Sequence, residues 1–470
     1  MAENKRNYRN KQHQISCVAK TDDRLTGRAG LTLFTSYLHS TETFSLIDEF
    51  FGRMRKTKKG ATIVELFKQA LCFHVDGTSS HLTYFDQLKK DAGYAGAIET
   101  NMKDMASSHV MKRFFKKFAG VWIYWFRIVL QRLFIWRLKL KQPDIIELGI
   151  DTMVMDNDGA KRRHGVKPTY KKKKGFQPLQ MNWGGLFVDA VFRGGNRHSN
   201  YSDTVEKMTK NMVKKIRSEY KMDVPIIIRM DSGFFDQKIF AICEKLGVGY
   251  ICGGKMYKDI KQVAEKTDNK SWRSFHSPEK KDRWDFIEFG SKRKTWKKFR
   301  RAIYCRLANI GKQLQLPEMR PDTVIITNLG MGGRIDKLLH RAKADYYFDA
   351  NHIVASYHER GSDELANRGL KDFGSEKLPF KRFNPNAAWY YVMLIGHFLF
   401  ECFKEDAIAP VTPVISVSSY ASTVRRKIID IAGKIVKHSG KITLKVSTAI
   451  FESLKFAELF ARCNNAPPIK

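Results

Sequence analysis

The sequence is poor in cysteine, and its few cysteines are not arranged to bind a metal or to crosslink the chain. The 470 residues include seven cysteines, an odd number, and no two of them form a Cys-x-x-Cys pair. This pattern argues against a zinc ribbon and against a disulfide framework, and it is typical of buried thiols in a reducing compartment. The N-terminal stretch MAENKRNYRNKQHQ has no apolar core and does not match a signal peptide.

Long uninterrupted hydrophobic runs are missing as well. The run VWIYWFRIVLQRLFIW contains Arg127, Gln131 and Arg132, and the run WYYVMLIGHFLFECF is only fifteen residues long. A membrane-spanning helix needs about 20 consecutive, predominantly apolar residues. Both runs therefore predict buried helices, and we expect a soluble protein of the cytoplasm that has no membrane partner.

Acidic residues are scarce relative to basic ones. The chain has 84 Lys and Arg against 48 Asp and Glu, which gives a formal net charge of +36. A surplus of this size exceeds what solubility requires and predicts a polyanionic partner. Nucleic acid is the first candidate, and an anionic membrane surface or a ribosomal contact is the alternative. With 43% hydrophobic and 28% charged residues, we expect a globular chain of two to four domains.

Sequence periodicity divides the chain into five parts. Apolar residues recur at helical spacing in the first part, whereas DIIELGIDTMVM and VPIIIRMDSGF are apolar runs typical of buried strands. The segment LQMNWGGLFVDAVF predicts a hairpin that turns at Gly184–Gly185, and DQKIFAICEKLGVG predicts a helix that ends at Gly247. The parts are a helical N-terminal region (1–140), a core in two segments (141–254 and 330–405), a partly β insertion domain (255–329) and a basic C-terminal region (406–470).

The order of elements in the core is strand, hairpin, helix, strand, helix, strand. This order predicts an α/β fold with a mixed sheet that carries an antiparallel pair at its edge. The helical N-terminal region suits a helix-turn-helix-like bundle that binds DNA, and a helical bundle with a basic surface is the alternative.

Two aspartates follow predicted core strands. Asp151 stands at the end of ELGI, and Asp231 stands at the end of IIIRM. Ligand sites of α/β sheets lie beyond the carboxyl ends of strands, where carboxylates from neighbouring strands can meet. Each aspartate alone could simply cap the turn after its strand. The pair is more informative, because charges at the ends of two buried strands need a counter-ion.

A third carboxylate lies in the stretch YHERGSDELANRGLK. On a helix of 3.6 residues per turn, Tyr357, Arg360, Glu364 and Lys371 fall within an arc of about 60°. One carboxylate, two cations and one phenol would then face the same way. A solvated helix with an Arg360–Glu364 pair at i, i+4 is the alternative.

These residues resemble the signature of one large superfamily of DDE transposases from bacterial insertion sequences. That signature is Tyr, two residues, Arg, three residues, Glu, six residues, Lys, and it is matched in full by Tyr357, Arg360, Glu364 and Lys371. The resemblance covers roughly residues 140–400. Each element alone would be weak, whereas the four-residue signature together with both aspartates is a specific combination.

Further blocks support the resemblance. GID at Asp151 and RMDSGF at Asp231 are similar to the blocks that carry the first two catalytic aspartates of that superfamily, and TNL before Gly330 is similar to a block ahead of its third acid. The resemblance implies a ribonuclease H-like mixed sheet with flanking helices. It also implies that Asp151, Asp231 and Glu364 are both the catalytic residues and the metal ligands.

The implied chemistry agrees with these residue types. Phosphodiester transfer uses two divalent ions about 4 Å apart, and Mg²⁺ prefers a few carboxylates completed by water and phosphate oxygens. We expect two Mg²⁺ ions, for which Mn²⁺ substitutes. The resemblance further implies that Tyr357, Arg360 and Lys371 hold phosphates of the terminal strand, the arginine bidentately and the lysine as a point charge.

Two basic runs are further candidates for DNA contacts. KRRHGVKPTYKKKK follows Asp151 and has eight Lys or Arg without an acid, while SKRKTWKKFRR in the insertion has seven. Such runs neutralise phosphates without reading base sequence, and a solvated loop is the alternative for each. Trp284 or Trp296 could stack on an unpaired base, with a structural role as the alternative. The basic residues assigned to DNA are Lys161, Arg162, Arg163, Lys171, Lys172, Lys173, Lys174, Arg293, Lys297 and Lys298.

We therefore expect a cut-and-paste DNA transposase that binds terminal inverted repeats, cleaves the strands and joins them to target DNA. Its expected partners are double-stranded DNA and a second copy of the chain in a synaptic complex, and its expected location is the nucleoid of a prokaryotic cytoplasm. A ribonuclease H-like endonuclease without strand transfer is one alternative. A domesticated, sequence-specific DNA-binding protein is the other.

Overall fold

The structure is a computed structural model that describes residues 15, 17–55, 60–160, 162–276, 283–308, 322–358 and 361–469. The strands in these ranges are β1 Arg24–Thr26, β2 Ile146–Thr152, β3 Met155–Asp156, β4 Lys167–Pro168, β5 Lys174–Phe176, β6 Leu179–Trp183, β7 Leu186–Val191, β8 Ile226–Met230, β9 Gly249–Gly253, β10 Arg273–His276, β11 Arg283–Ser291, β12 Arg300–Leu307, β13 Thr323–Thr327, β14 Gly433–His438 and β15 Lys441–Val446. The helices are α1 Leu31–Ser40, α2 Thr43–Phe51, α3 Ile63–Asp76, α4 Phe85–Leu88, α5 Ala92–Ala97, α6 Ser108–Lys116, α7 Val121–Lys141, α8 Thr204–Glu219, α9 Gln237–Leu246, α10 Lys258–Lys266, α11 Arg334–Arg341, α12 Ala350–His358, α13 Gly361–Phe373, α14 Phe383–Phe403, α15 Ala421–Val424, α16 Thr448–Ser453 and α17 Phe456–Asn464.

A nine-stranded mixed sheet forms the centre of the molecule, in the order β10-β11-β12-β13-β9-β8-β2-β6-β7. The strands β2, β8 and β9 run parallel to one another, and their neighbours on both sides are antiparallel. Parallel strands are covered on both faces, which explains why the sequences of β2 and β8 read as nearly continuous apolar runs. The predicted α/β class, a mixed sheet with flanking helices, is confirmed.

The edge hairpin predicted from Gly184–Gly185 is present. Trp183 of β6 pairs with Leu186 of β7, so two residues form the turn. Both glycines have positive φ values, 55° and 90°. Two-residue hairpin turns of this kind require positive φ at both central positions, which glycine adopts without steric cost.

Helix α14 is the central helix and contains the apolar run WYYVMLIGHFLFECF. It is buried along almost its whole length and packs against α3, α6, α7 and β7. This run is therefore a core helix, as predicted. Within the described ranges no single helix is long and apolar enough to cross a membrane. Helices α6 and α7 reach that length and composition only when taken together, and they meet at a bend of 96°.

The strands predicted in the insertion extend the central sheet. The run DTVIITN contains β13, which pairs antiparallel with β9, and β12, β11 and β10 follow outward in order. The described residues of 255–329 therefore contribute their strands to the sheet of the core.

The two ends of the chain pack against each other. Strand β1 pairs with β14, α1 packs on α17, and the backbone N–H of Ile469 donates to the carbonyl oxygen of Thr41 at 2.9 Å. The N-terminal and C-terminal regions are thus in contact. The domain boundaries drawn from the sequence remain predictions.

Candidate active site

Asp151 and Asp231 lie side by side at the carboxyl ends of two parallel strands. The register of β2 and β8 pairs Ile150 with Met230, so that the next residue along each strand is one of the two aspartates. Neighbouring strands are about 4.8 Å apart. Both aspartates are half-buried, and the sheet therefore brings two carboxylates together at one edge.

Each aspartate also has a local partner. Asp151 Oδ1 accepts a hydrogen bond from the backbone N–H of Thr152 at 2.7 Å. Asp231 Oδ1 accepts one from the backbone N–H of Gly233 at 2.8 Å and so caps the 3-10 turn Ser232–Phe234. Asp231 therefore does cap the turn after its strand, as considered above, and it does so with one of its two carboxylate oxygens.

Helix α13 reaches the same edge of the sheet. Asn367 Nδ2 donates a hydrogen bond of 3.0 Å to Asp151 Oδ2. Glu364 lies three residues earlier on α13, and residues three apart are neighbours on one helix face. Glu364 is exposed. Sequence reasoning missed Asn367, although its i, i+3 relation to Glu364 is a signal that could have identified it.

All three carboxylates lie close enough to Tyr170 to influence the pKa of its phenol. Although the side chain of Tyr170 is 63% exposed, partial desolvation raises its pKa, and the negative charges of Asp151, Asp231 and Glu364 raise this pKa further. Sequence reasoning missed Tyr170 too. It lies within the basic run, and the only available signal was an aromatic residue among lysines.

The donor chemistry of this edge fits a hard divalent ion. Asp151, Asp231 and Glu364 offer carboxylate oxygens, which Mg²⁺ prefers. Among the described residues, no group of three or more His, Cys, Asp or Glu side chains is close enough to hold an ion. The structure thus brings the two aspartates together but does not bring Glu364 to ligand distance of both. Mg²⁺ commonly binds through one or two carboxylates plus water and phosphate oxygens, so this donor set still suits it.

Tyr357 lies at the same end of the sheet. A Cβ atom on Gly253 would collide with the hydroxyl of Tyr357 and with the backbone of Ser232. Gly253 is the residue after Cys252 on β9, and Cys252 pairs with Met230, so Gly253 and Asp231 hold equivalent positions on adjacent strands. The phenol of Tyr357 therefore rests on the strand end next to Asp231.

Three of the four signature residues lie in the described ranges. Tyr357 lies in the last turn of α12, whereas Glu364 and Lys371 lie on α13. Arg360 is outside the described residues. Glu364 and Lys371 are seven residues apart, which is two turns of a helix and places them on the same face, as predicted.

Lys371 connects α13 to the segment that follows β2. Its Nζ lies 3.0 Å from Glu376 Oε1, and Glu376 Oε2 accepts the backbone N–H of Asp156 at 3.2 Å. Lys173 Nζ in turn lies 3.2 Å from Asp156 Oδ2. Because a lysine ammonium has three N–H donors, Lys371 can contact a phosphate while Glu376 orients it.

The first basic run contributes β4 and the start of β5 to a small antiparallel sheet. In this sheet β5 pairs with β3 and with β4. The turn between β4 and β5 carries Tyr170 and the lysines 171–173, and Lys174 begins β5; all five side chains are exposed. Arg162 is exposed, whereas Arg163 donates to Asn157 Oδ1 at 3.0 Å. Lys161 lies outside the described residues.

The second basic run has internal partners. Arg293 forms two hydrogen bonds to Asp259, at 2.8 and 2.7 Å, and its guanidinium lies 3.9 Å from the ring centre of Tyr257. Lys298 lies 3.0 Å from Glu244, and Lys297 is exposed. Arg293 and Lys298 therefore form ion pairs within the protein, and Lys297 is the most accessible of the three.

Both tryptophans considered for base stacking are buried. Trp296 is 5% exposed and packs against Phe235 and Phe240, while Trp284 is 6% exposed and stacks on His358 at 3.8 Å between ring centres. Their environments are those of structural tryptophans.

A family of known proteins matches nearly the whole chain. The family model described as transposase DDE domain, group 1, matches residues 10–468. A cryo-EM structure of the piggyBac transposase synaptic complex with hairpin DNA is similar over 84% of this chain and 78% of that chain, with 11% identity and a TM-score of 0.37. No curated protein matches the chain.

Proposed function

We propose that this chain, which belongs to the family of transposase DDE domains of group 1, binds the terminal inverted repeats of an insertion sequence and moves it by cutting and joining. Membership of the family makes the chain a DNA transposase that acts as a nuclease and transesterase and uses divalent metal ions. The cut-and-paste route, the choice of Mg²⁺ and the number of ions are our proposals.

The single observation that carries the proposal is the pairing of Asp151 and Asp231 at one strand edge, with α13 joined to Asp151 through Asn367. In this arrangement Asp151, Asp231 and Glu364 would hold two Mg²⁺ ions. Such ions, when bound, stabilise charge on the attacking and leaving oxygens of an in-line displacement. The pairing supports phosphodiester chemistry without a nucleophile supplied by the protein.

The neighbouring cations would position the DNA. Lys371, held by Glu376, and the exposed lysines of the β4–β5 turn present positive charge around the carboxylate edge. Water first cleaves the phosphodiester and releases a 3′-hydroxyl, and that hydroxyl then attacks a target phosphate. Phosphate contacts fix the position of the strand and carry no base information. Arg360 and Tyr357 are assigned to the same task by the signature.

We further propose that two copies of the chain assemble on two element ends, without a membrane partner, in the nucleoid of a prokaryotic cell. A ribonuclease H-like endonuclease would use the same carboxylates and would not join strands. A domesticated DNA-binding protein would need none of them. The presence of all three acids favours an enzyme over the latter.

The experiment is strand cleavage and joining on labelled linear DNA that carries the element's own ends, with and without Mg²⁺, beside Asp231→Asn. The proposal predicts joined products that require Mg²⁺ and are absent with the variant. Cleavage without joining would favour the endonuclease. Binding with neither reaction would leave a DNA-binding protein and would contradict the enzymatic proposal.

A further inference from the structure

A second, smaller sheet lies outside the central one and is built from β1, β14 and β15. Strand β1 covers only the first half of β14, from Gly433 to Ile435, whereas β15 pairs with β14 along its full length. Beyond Ile435 the sheet is therefore a two-stranded ribbon. The ribbon turns at Ser439 and Gly440, both of which have positive φ values, 48° and 76°.

The two faces of this ribbon have different surroundings. Ile435 is buried, and a Cβ atom on Gly96 of α5 would collide with its side chain, so this face packs on the N-terminal helices. Side chains alternate between the faces of a strand, and directly paired residues share a face. The register therefore places six residues on the opposite, outer face: Lys434, Val436, His438, Lys441, Thr443 and Lys445.

The outer face carries positive charge that the protein leaves mostly uncompensated. Three of the six outer residues are lysines, and the sequence between Ile431 and Phe451 contains no acid. Lys434 pairs with Asp23 at 2.9 Å, whereas Lys441 and Lys445 form no ion pair with any residue in the described ranges. Both are exposed.

The cross-strand pairing increases this concentration of charge. Lys434 is directly opposite Lys445. Like charges placed opposite each other on antiparallel strands repel; Asp23 offsets part of this repulsion at Lys434, and a bound anion would offset it at Lys445. Lysines on an edge strand can also serve only to prevent pairing with another chain.

We propose that the outer face of this ribbon binds the phosphate backbone of duplex DNA, independently of base sequence. The inference rests on the proposed function and names a DNA contact that the catalytic edge does not include. The face lies against the outside of the duplex, where its lysines contact phosphate oxygens, and such contacts position a protein without carrying base information. Lysine acts there as a point charge and releases condensed counterions on binding.

The test is the affinity of the full chain for a duplex of unrelated sequence, measured by fluorescence anisotropy at several salt concentrations. The variant is the double substitution Lys441→Gln and Lys445→Gln. Its matched control is Lys210→Gln and Lys214→Gln, which removes the same charge from exposed positions on α8. Each phosphate contact contributes about 0.9 to the slope of log affinity against log salt.

The proposal predicts that the ribbon variant lowers this slope by about 1.8 and weakens binding by about 10-fold or more at 0.1 M salt, while the control changes little. Equal losses in variant and control would mean that binding follows net charge alone and would overturn the proposal. The variant could instead keep the slope unchanged and self-associate, as seen by sedimentation. That result would mean that the lysines prevent pairing of the sheet edge with another chain, and it would also overturn the proposal.

The outcomes also separate this inference from the function on which it rests. If the unmodified chain cleaves and joins its own element ends but the ribbon variant binds duplex normally, only the ribbon proposal fails. If the unmodified chain binds no DNA at any salt concentration, both proposals fail.

Discussion

Asn367 on α13 donates a hydrogen bond of 3.0 Å to Asp151 on β2, and this contact joins the helix of the third acid to the strand of the first. The helix and the strand are more than 200 residues apart in sequence. The bond occupies Asp151 Oδ2 and fixes how that carboxylate faces the edge where Asp231 also ends. Asn367 is therefore a positioning residue of the candidate site.

Substitution of Asn367 should impair the reaction without unfolding the protein. Partners that orient a metal ligand typically contribute 10- to 100-fold to metal affinity or activity. We expect Asn367→Ala to lower the cleavage rate by about that factor and to raise the Mg²⁺ concentration needed for half-maximal cleavage. The measurement is a Mg²⁺ titration of cleavage. Leu365→Ala, at an exposed position of the same helix, is the control and should leave the titration unchanged.

Gly253 should not tolerate a side chain. A Cβ atom there would meet the hydroxyl of Tyr357 and the backbone of Ser232, next to Asp231. Overpacking typically costs about 1–3 kcal/mol, so Gly253→Ala should lower the free energy of unfolding by about that amount and reduce cleavage. The check is urea unfolding together with the cleavage assay. Adding Tyr357→Phe removes one of the two clashing groups and should recover part of the stability; no recovery would contradict the placement of the phenol.

Lys371 should act on DNA through charge. One phosphate contact contributes about 0.9 to the salt slope, and the affinity lost on removing it is largest at low salt. We therefore expect Lys371→Gln to make the slope for element ends shallower by about 0.9. The measurement is end binding over a series of salt concentrations, with Lys210→Gln as the charge-matched control. A parallel shift with an unchanged slope would mean that Lys371 only supports Glu376.

Two buried histidines predict sensitivity to acid. Burial lowers the pKa of His74 and of His397 to about 3, helped by the positive charges of Arg425 and Lys404 respectively. An unfolded histidine has a pKa near 6.5, so below this pH the unfolded chain binds protons that the folded chain does not bind. Above pH 6.5 these two histidines are neutral in both states and do not lower the free energy of unfolding. As the pH falls from 6.5 toward 3, protonation of the unfolded chain lowers that free energy. Unfolding midpoints measured between pH 7.5 and 5 should fall less steeply for His74→Gln with His397→Gln; equal slopes would contradict this.

Much of the fold could be predicted because it depends on local patterns. The apolar runs of β2 and β8, the Gly184–Gly185 turn and the end of α9 at Gly247, whose φ is 63°, each follow from residue periodicity or from backbone freedom. The burial of α14 could be predicted because an apolar run that is too short to span a membrane belongs in the core of a protein.

The remaining features depend on contacts between distant segments. No local pattern indicates that β13 pairs with β9, which makes the insertion part of the central sheet. The same holds for the pairing of β1 with β14, since three residues near the start meet a strand near the end of the chain. Arg293 looked like a DNA contact because it lies in a basic run, and its partner Asp259 lies 34 residues earlier.

The most direct test of the central claim, that Asp151, Asp231 and Glu364 form one metal-dependent site, is Glu364→Ala. Cleavage of element ends and binding to them are measured side by side in Mg²⁺. Because Glu364 is exposed on α13, its removal should leave the fold and the end binding largely intact. The account predicts that cleavage is abolished while binding persists. Cleavage at an unchanged rate would contradict the assignment of the third carboxylate.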